Sequence, residues 1–122
     1  MIKGIGIDII ELRRIKEMVE RQPKLLERIL TKSEKELLEN LQSNKRKIEF
    51  VAGRFAAKEA FSKARGTGMG QLSFLDIEIT NHKNGAPVLK SKVLTAETCF
   101  ISISHSEDYA VSQVIIESES AY

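Results

Sequence analysis

The sequence predicts an α+β fold, with helices packed against an antiparallel sheet. Three observations lead there. A strand-like segment opens the chain, helical spacing fills the rest of the first half, and the second half runs in short strand-like pieces separated by turns. That order lacks the strand–helix alternation of a parallel doubly wound fold. The 122 residues, 42% hydrophobic and 30% charged, suit one globular domain over residues 1–122.

The elements follow in order. In "IKGIGIDII", Ile5, Ile7 and Ile9 take one strand face and Gly4, Gly6 and Asp8 the other. "IIELRRIKEMVERQ" has helical spacing, with Leu12, Ile15 and Val19 on its apolar face and Pro23 as the break. "LLERIL" is a short apolar piece, and "SEKE" (Ser33 to Glu36) reads as a capping box opening a helix to about Leu41. "QSNKRK" reads as a loop with a basic cluster at Lys45, Arg46 and Lys47. A long helix is expected from about Glu49 to Arg65, stopped by the glycines of "RGTGMG". "FLDIEIT" and "PVLK" flank an Asn84-Gly85 turn. "VLTAET" is a short helix or irregular turn. "FISISH" and "YAVSQVIIE" then flank "SED" as a second hairpin.

The long helix carries charges in an unusual place. At about 100° per residue, Ala52, Phe55, Ala56, Glu59, Ala60 and Lys63 share one stripe. Arg54, Lys58 and Ser62 form a separate polar sector. A Glu–Lys pair four residues apart stabilises a helix by roughly 0.2–0.5 kcal/mol, but it normally lies on the solvated face. A charge on a packing stripe needs a partner. A ligand or metal in a cleft would supply one.

Other features narrow the classes. One cysteine makes no internal disulfide, and two distant histidines make no zinc site, so a cytoplasmic setting is expected. Cys99 reads as a small core residue. No apolar run approaches membrane-spanning length, and "MIKGIGIDII" reads as a strand rather than a signal peptide. A net charge of +2 says little about partners. By themselves, His105 reads as a surface turn residue and the basic cluster as a solvated charge run.

Asp8 is an unusual strand residue. Its glycine neighbours suggest room for a ligand above that face, while the alternative is that Asp8 ends the strand and caps the next helix. Asp8, Glu59 and Lys63 together suggest metal-assisted chemistry on a phosphate ester. Magnesium is commonly held by one or two carboxylates, and a lysine would help neutralise a phosphate.

"IGIDI", followed about fifty positions later by "FAAKEAFSKA", resembles the two-part signature of the 4′-phosphopantetheinyl transferases. Gly6, Ile7 and Asp8 match the first part; Phe55, Lys58, Glu59, Ala60 and Lys63 match the second. "NGAP" and "SISH" make the chain similar to the short bacterial branch, the holo-acyl carrier protein synthases. The resemblance implies that family's fold, a trimer with sites at subunit interfaces, and transfer of the phosphopantetheine arm of coenzyme A to a serine of apo-acyl carrier protein. It implies a role in fatty acid biosynthesis. Asp8 and Glu59 would hold magnesium, or manganese, and Lys63 would complete the catalytic set. Arg46, Arg54, Lys63, Asn84, Gly85, Pro87, His105 and Ser106 would line the coenzyme A site, several from a neighbouring subunit. The proton acceptor stays open between Glu59 and a metal-bound water.

On the first helix, Arg14 and Arg21 lie on nearly one line, with Met18 between them. This strip suits an acidic carrier helix. The apolar last strand agrees with burial between subunits. Two rivals remain. A magnesium-dependent nuclease would usually place acid and lysine two apart on a strand, unlike the four-residue spacing here. A basic RNA-binding module would draw on "NKRK", yet the chain lacks tryptophan and any cluster of stacking aromatics. Neither nucleic acid nor membrane is expected as a partner.

Overall fold

The computed structural model describes residues 1–70 and 72–119; the other positions of the expected 1–122 domain lie outside the described residues. The elements are β1 (Ile2–Glu11), α1 (Leu12–Arg21), α2 (Leu25–Ile29), α3 (Lys32–Glu39), α4 (Asn44–Arg65), a 3-10 turn (Phe74–Asp76), β2 (Ile77–Asn81), β3 (Pro87–Ser91), β4 (Glu97–His105) and β5 (Tyr109–Ser118). All strand pairing is antiparallel, as expected, but it falls into two sheets. One has the order β1-β5-β4, and the other is the β2-β3 hairpin. "VLTAET" is a turn that leads into β4.

Helix α4 is the axis of the molecule. Its 22 residues span about 33 Å. It begins five residues earlier than expected, because Ser43 caps it: the hydroxyl accepts from Arg46 N–H at 3.2 Å. Lys45, Arg46 and Lys47 therefore sit on the first turn of a helix, not in a loop. At the other end Gly66 takes the left-handed conformation, with φ 78°, and closes the helix as the glycine signal predicts.

Two further expectations need correction. The capping box of α3 is built on Thr31 and Glu34, not Ser33 and Glu36. Threonine and glutamate keep the same i, i+3 spacing two residues earlier, so the sequence offered both registers. The polar sector Arg54, Lys58 and Ser62 is not solvated either; all three are buried. The reason is that α4 is covered on both sides. The three-stranded sheet packs on one side, while α3 and the β2-β3 hairpin close the other.

Lys58 and Glu34 meet in that buried sector. Lys58 Nζ donates to Glu34 Oε1 at 2.6 Å, to Ile29 O at 2.7 Å and to Phe74 O at 3.0 Å. Glu34 also accepts from Thr31 N–H at 2.8 Å and Ile79 N–H at 2.9 Å. Burial pulls Lys58 below its ordinary pKa, and the Glu34 charge opposes that pull. The pair is compatible with burial because its donors and acceptors are occupied.

The outer face of the three-stranded sheet is apolar and open. Ile5, Ile7, Ile9 and Phe100 are each more than half exposed. The register aligns Ile5 with Ile115 and Phe100, and Ile9 with Val111. An apolar face of this kind marks a place for association.

The buried pair gives a direct stability test. Lys58→Ala leaves Glu34 charged and buried, and should lower unfolding free energy by about 3–5 kcal/mol in urea denaturation. Arg13→Ala removes only an exposed pair with Glu17 and should barely move the urea midpoint. Equal, small shifts for both would contradict the role given to Lys58.

Candidate active site

Asp8 lies in the middle of β1, opposite Ser112, and caps nothing: Glu11 is the N-cap of α1. Its face of the strand is crossed closely by α4. A Cβ at Gly6 would stand 1.9 Å from Ala60 O, and one at Gly4 1.8 Å from Ala64 O. The glycines thus make room for a helix backbone, not for a ligand as the sequence suggested. That close approach brings residues 59 and 63 of α4 beside Asp8.

Lys63 Nζ donates to Asp8 Oδ1 at 3.0 Å and to Ile7 O at 3.0 Å. The lysine is about half exposed and Asp8 less so. Glu59 is half-buried. Its carboxyl is raised above the ordinary range, by burial first and by the Asp8 charge second, while Lys63 opposes the rise. Asp8, Glu59 and Lys63 therefore assemble as the sequence predicts. The donor set suits a hard dication: two carboxylates with oxygen ligands, whose mutual repulsion such an ion relieves. Among the described residues no group of three or more His, Cys, Asp or Glu could hold a metal, so this pair would supply only part of a coordination shell.

A second cluster lies at the other end of α4. A cleft of about 140 Å³ is lined by Arg46, Glu49, Phe50, Arg54, Ile103 and His105, among others. The Arg54 guanidinium sits 4.0 Å over the Phe50 ring. Its Nη2 donates to Asn81 Oδ1 at 2.9 Å, with a longer 3.4 Å bond to Ile79 O. Its Nε is buried and has no hydrogen-bond partner among the described residues. Burial lowers the guanidinium from its ordinary value, and Glu34 opposes this. Asn81 Nδ2 in turn donates to Gly85 O at 2.9 Å.

Asn84, Gly85 and Pro87 belong to the β2-β3 hairpin, where Gly85 has φ 89° and Asn84 Oδ1 accepts from Ala86 N–H at 3.0 Å. Arg54 and Asn81 therefore tie this turn to the cleft. His105 ends β4, its Nδ1 3.2 Å from Glu49 Oε2. Ser106 follows, and its hydroxyl accepts from Tyr109 N–H at 3.2 Å to close the turn.

The expected residues thus gather in two places on this chain. Glu49 and Glu59 lie about 15 Å apart along one helix. Lys63 stands with Asp8 and Glu59, away from Arg46, Arg54 and His105. Two larger grooves, of about 270 and 240 Å³, run between α1 and the start of α4 and contain none of these residues except by adjacency in sequence. On α1, Arg14 and Arg21 are exposed, while Met18 is half-buried against the core. Cys99 is half-buried, and burial pushes its thiol up to about 11, which fits a packing residue. Sequence reasoning missed Glu34 and Glu49. The Thr31–Glu34 spacing signals the first; nothing local distinguishes the second.

The fold and these clusters define a class. Residues 4–114 match the family model described as the 4′-phosphopantetheinyl transferase superfamily. The chain belongs to that superfamily. It is 62% identical, over 96% of its length and 97% of the relative's, to a protein of Anoxybacillus flavithermus named holo-[acyl-carrier-protein] synthase. The crystal structure of a holo-(acyl-carrier-protein) synthase from Bacillus anthracis, in complex with CoA (3′,5′-ADP), superposes with a TM-score of 0.89. It shares 53% identity, with 98% of this chain and 99% of that one covered. The Helicobacter pylori holo-[acyl-carrier-protein] synthase in complex with coenzyme A matches at TM-score 0.81 and 37% identity, over 93% and 99% of the two chains.

The geometry predicts how Glu59 titrates. Asp8→Asn removes one cause of the raised carboxyl and should lower the Glu59 pKa toward its ordinary value, without reaching it, because burial remains. Lys63→Met removes the opposing charge and should raise it further. NMR titration of the Glu59 side-chain carboxyl carbon measures both shifts; no movement in either variant would mean the three groups do not share a site.

Proposed function

We propose that this chain transfers the 4′-phosphopantetheine arm of coenzyme A to a serine of apo-acyl carrier protein, releasing adenosine 3′,5′-bisphosphate. The observation that carries this reading is the Asp8–Lys63 pair beside Glu59, set in the fold of the synthases named above. The carrier supplies the attacking serine oxygen. A new bond forms from that oxygen to phosphorus, the pyrophosphate bond of coenzyme A breaks with its electron pair leaving on adenosine 3′,5′-bisphosphate, and the serine proton passes to Glu59 or to a water beside it. The chain therefore needs no nucleophile of its own, and its work is to align two substrates and balance charge.

Each residue has a task. Asp8 and Glu59 hold magnesium; manganese, with the same preference for oxygen, is the alternative ion. When bound, the ion supplies charge neutralisation at the phosphates. Lys63 adds a second positive charge there. Arg46, Arg54, His105 and Ser106, with the Asn84–Pro87 turn, bind the rest of coenzyme A. The unpartnered Nε of Arg54 supports this, since a ligand acceptor would complete it. Exposed Arg14 and Arg21, with Met18, meet the acidic carrier.

A trimer joins the two clusters. The open apolar sheet face around Ile5, Ile7, Ile9 and Phe100 supports association, and the roughly 15 Å between the clusters on one helix supports a site shared by neighbours. The single domain acts in the cytoplasm, where coenzyme A and its carriers meet. No helix among the described residues is long and apolar enough to cross a membrane.

Incubation with coenzyme A, magnesium and apo-carrier tests the reading. Mass spectrometry should show the carrier gaining about 340 Da, the phosphopantetheine arm. Asp8→Ala and Glu59→Ala should each cut the rate by roughly a hundredfold or more while remaining folded. An unchanged carrier mass, or cleavage of added nucleic acid instead, would overturn the assignment.

Carrier docking gives a separate outcome. Arg14→Glu with Arg21→Glu should raise the carrier KM and leave coenzyme A binding by calorimetry intact. Added salt should weaken carrier binding by the wild type, because exposed charges are screened beyond roughly 8 Å at physiological ionic strength. An unchanged carrier KM in the double variant would remove α1 as the docking surface.

A further inference from the structure

Glu49 has no task in the reading above, yet it stands in the cleft given to coenzyme A. A carboxylate there is out of place beside Arg46 and Arg54, because it repels a phosphorylated ligand. Its side chain is only 9% exposed, so solvent does little to screen it. Among the described residues, its one ion-pair partner is His105, at 3.2 Å through Nδ1.

The backbone holds that contact in place. A Cβ at Gly53 would stand 3.0 Å from the Ile103 methyl group, so α4 and β4 run close together here. Gly53 lies one turn after Glu49, and Ile103 shares a strand face with His105. The close crossing therefore fixes the two side chains opposite each other.

An ionised carboxylate accepts and cannot donate. The Glu49 charge 3.2 Å away lowers the energy of a proton on Nδ1 relative to one on the far ring nitrogen, so Nδ1 carries the proton in the neutral ring. Nε2 is then the ring nitrogen left for a ligand, and among the described residues it has no partner. Resting on the coenzyme A reading of the cleft, we infer that Glu49 is a positioning residue. It fixes the tautomer and orientation of His105, so that Nε2 meets the coenzyme A side of the cleft. The same contact turns the carboxylate's charge toward the imidazole and away from the phosphates.

The test joins a spectroscopic and a kinetic readout on the full chain. The only histidines are His82 and His105, so imidazole ¹⁵N spectra assign readily, with His105→Gln as the control. At alkaline pH, where imidazole is neutral, wild-type His105 should carry its proton on Nδ1. Glu49→Ala should move it to Nε2, and Glu49→Gln should keep it on Nδ1, because the amide oxygen still accepts. In parallel, Glu49→Ala should raise the coenzyme A KM roughly tenfold, leave the carrier KM unchanged, and be rescued to within about threefold by Glu49→Gln.

A His105 proton already on Nε2 in the wild type would overturn the proposal. So would a Glu49→Ala protein with unaltered tautomer and coenzyme A KM. Should Glu49→Ala fail to fold, a Glu49→Gln protein with its His105 proton on Nε2 overturns it equally. Calorimetry on the wild type separates the two readings: absence of coenzyme A binding defeats the assignment of the cleft, while the tautomer comparison still decides whether Glu49 sets His105.

Discussion

The Lys58–Glu34 pair is the interaction on which the placement of the site depends. Its ammonium reaches the end of α2 at Ile29 and the 3-10 turn at Phe74, while its carboxylate reaches the start of α3 and strand β2. Four elements are thereby pinned to the middle of α4. Removing two charges from water costs several kcal/mol per ion, and only a fully bonded arrangement offsets that cost. The elements must therefore meet in one register or leave a buried charge unsatisfied. Arg54 lies one turn before Lys58 and points to the β2-β3 hairpin; Glu59 lies next to it and faces β1. One helix, locked at its centre, thus aims both clusters.

The close crossing of β1 and α4 is the second constraint. Gly4 and Gly6 let helix backbone lie where side chains would otherwise stand. This brings Lys63 to Asp8 and leaves Glu59 with a raised carboxyl. Two carboxylates held near each other by packing, with a lysine on one of them, form a site strained by its own charge. A hard cation would relieve that strain.

Much of this was legible in the sequence because it is written in local signals. Alternation marked β1, an apolar run after a turn marked β5, Asn84-Gly85 marked the hairpin, and Gly66 marked the end of α4. Asp8, Glu59 and Lys63 were recognisable by type and spacing. What could not be read depends on tertiary covering. A polar sector on a helix looks solvated unless one knows that a second layer covers it, so the burial of Arg54, Lys58 and Ser62 is not legible in the sequence. Likewise, glycines beside Asp8 signal a close approach without saying whether helix or ligand makes it. Ser43 and Thr31 are both ordinary caps, but neighbouring serines and lysines offered competing registers. Glu49 gains meaning only when β4 brings His105 opposite it.

The site is divided: α4 meets β1 at a carboxylate–lysine cluster and β4 at a guanidinium–imidazole cleft about 15 Å along the helix, and the proposed threefold assembly joins one subunit's cluster to its neighbour's cleft. Subunit mixing tests it most directly. An Asp8→Ala protein and an Arg46→Ala/His105→Ala protein, each deficient in transfer alone, can be co-expressed with different tags and purified as mixed trimers. Shared sites predict that mixed trimers regain a substantial fraction of wild-type transfer, because some interfaces then pair an intact cluster with an intact cleft. Mixed trimers as inactive as their parents would contradict the account.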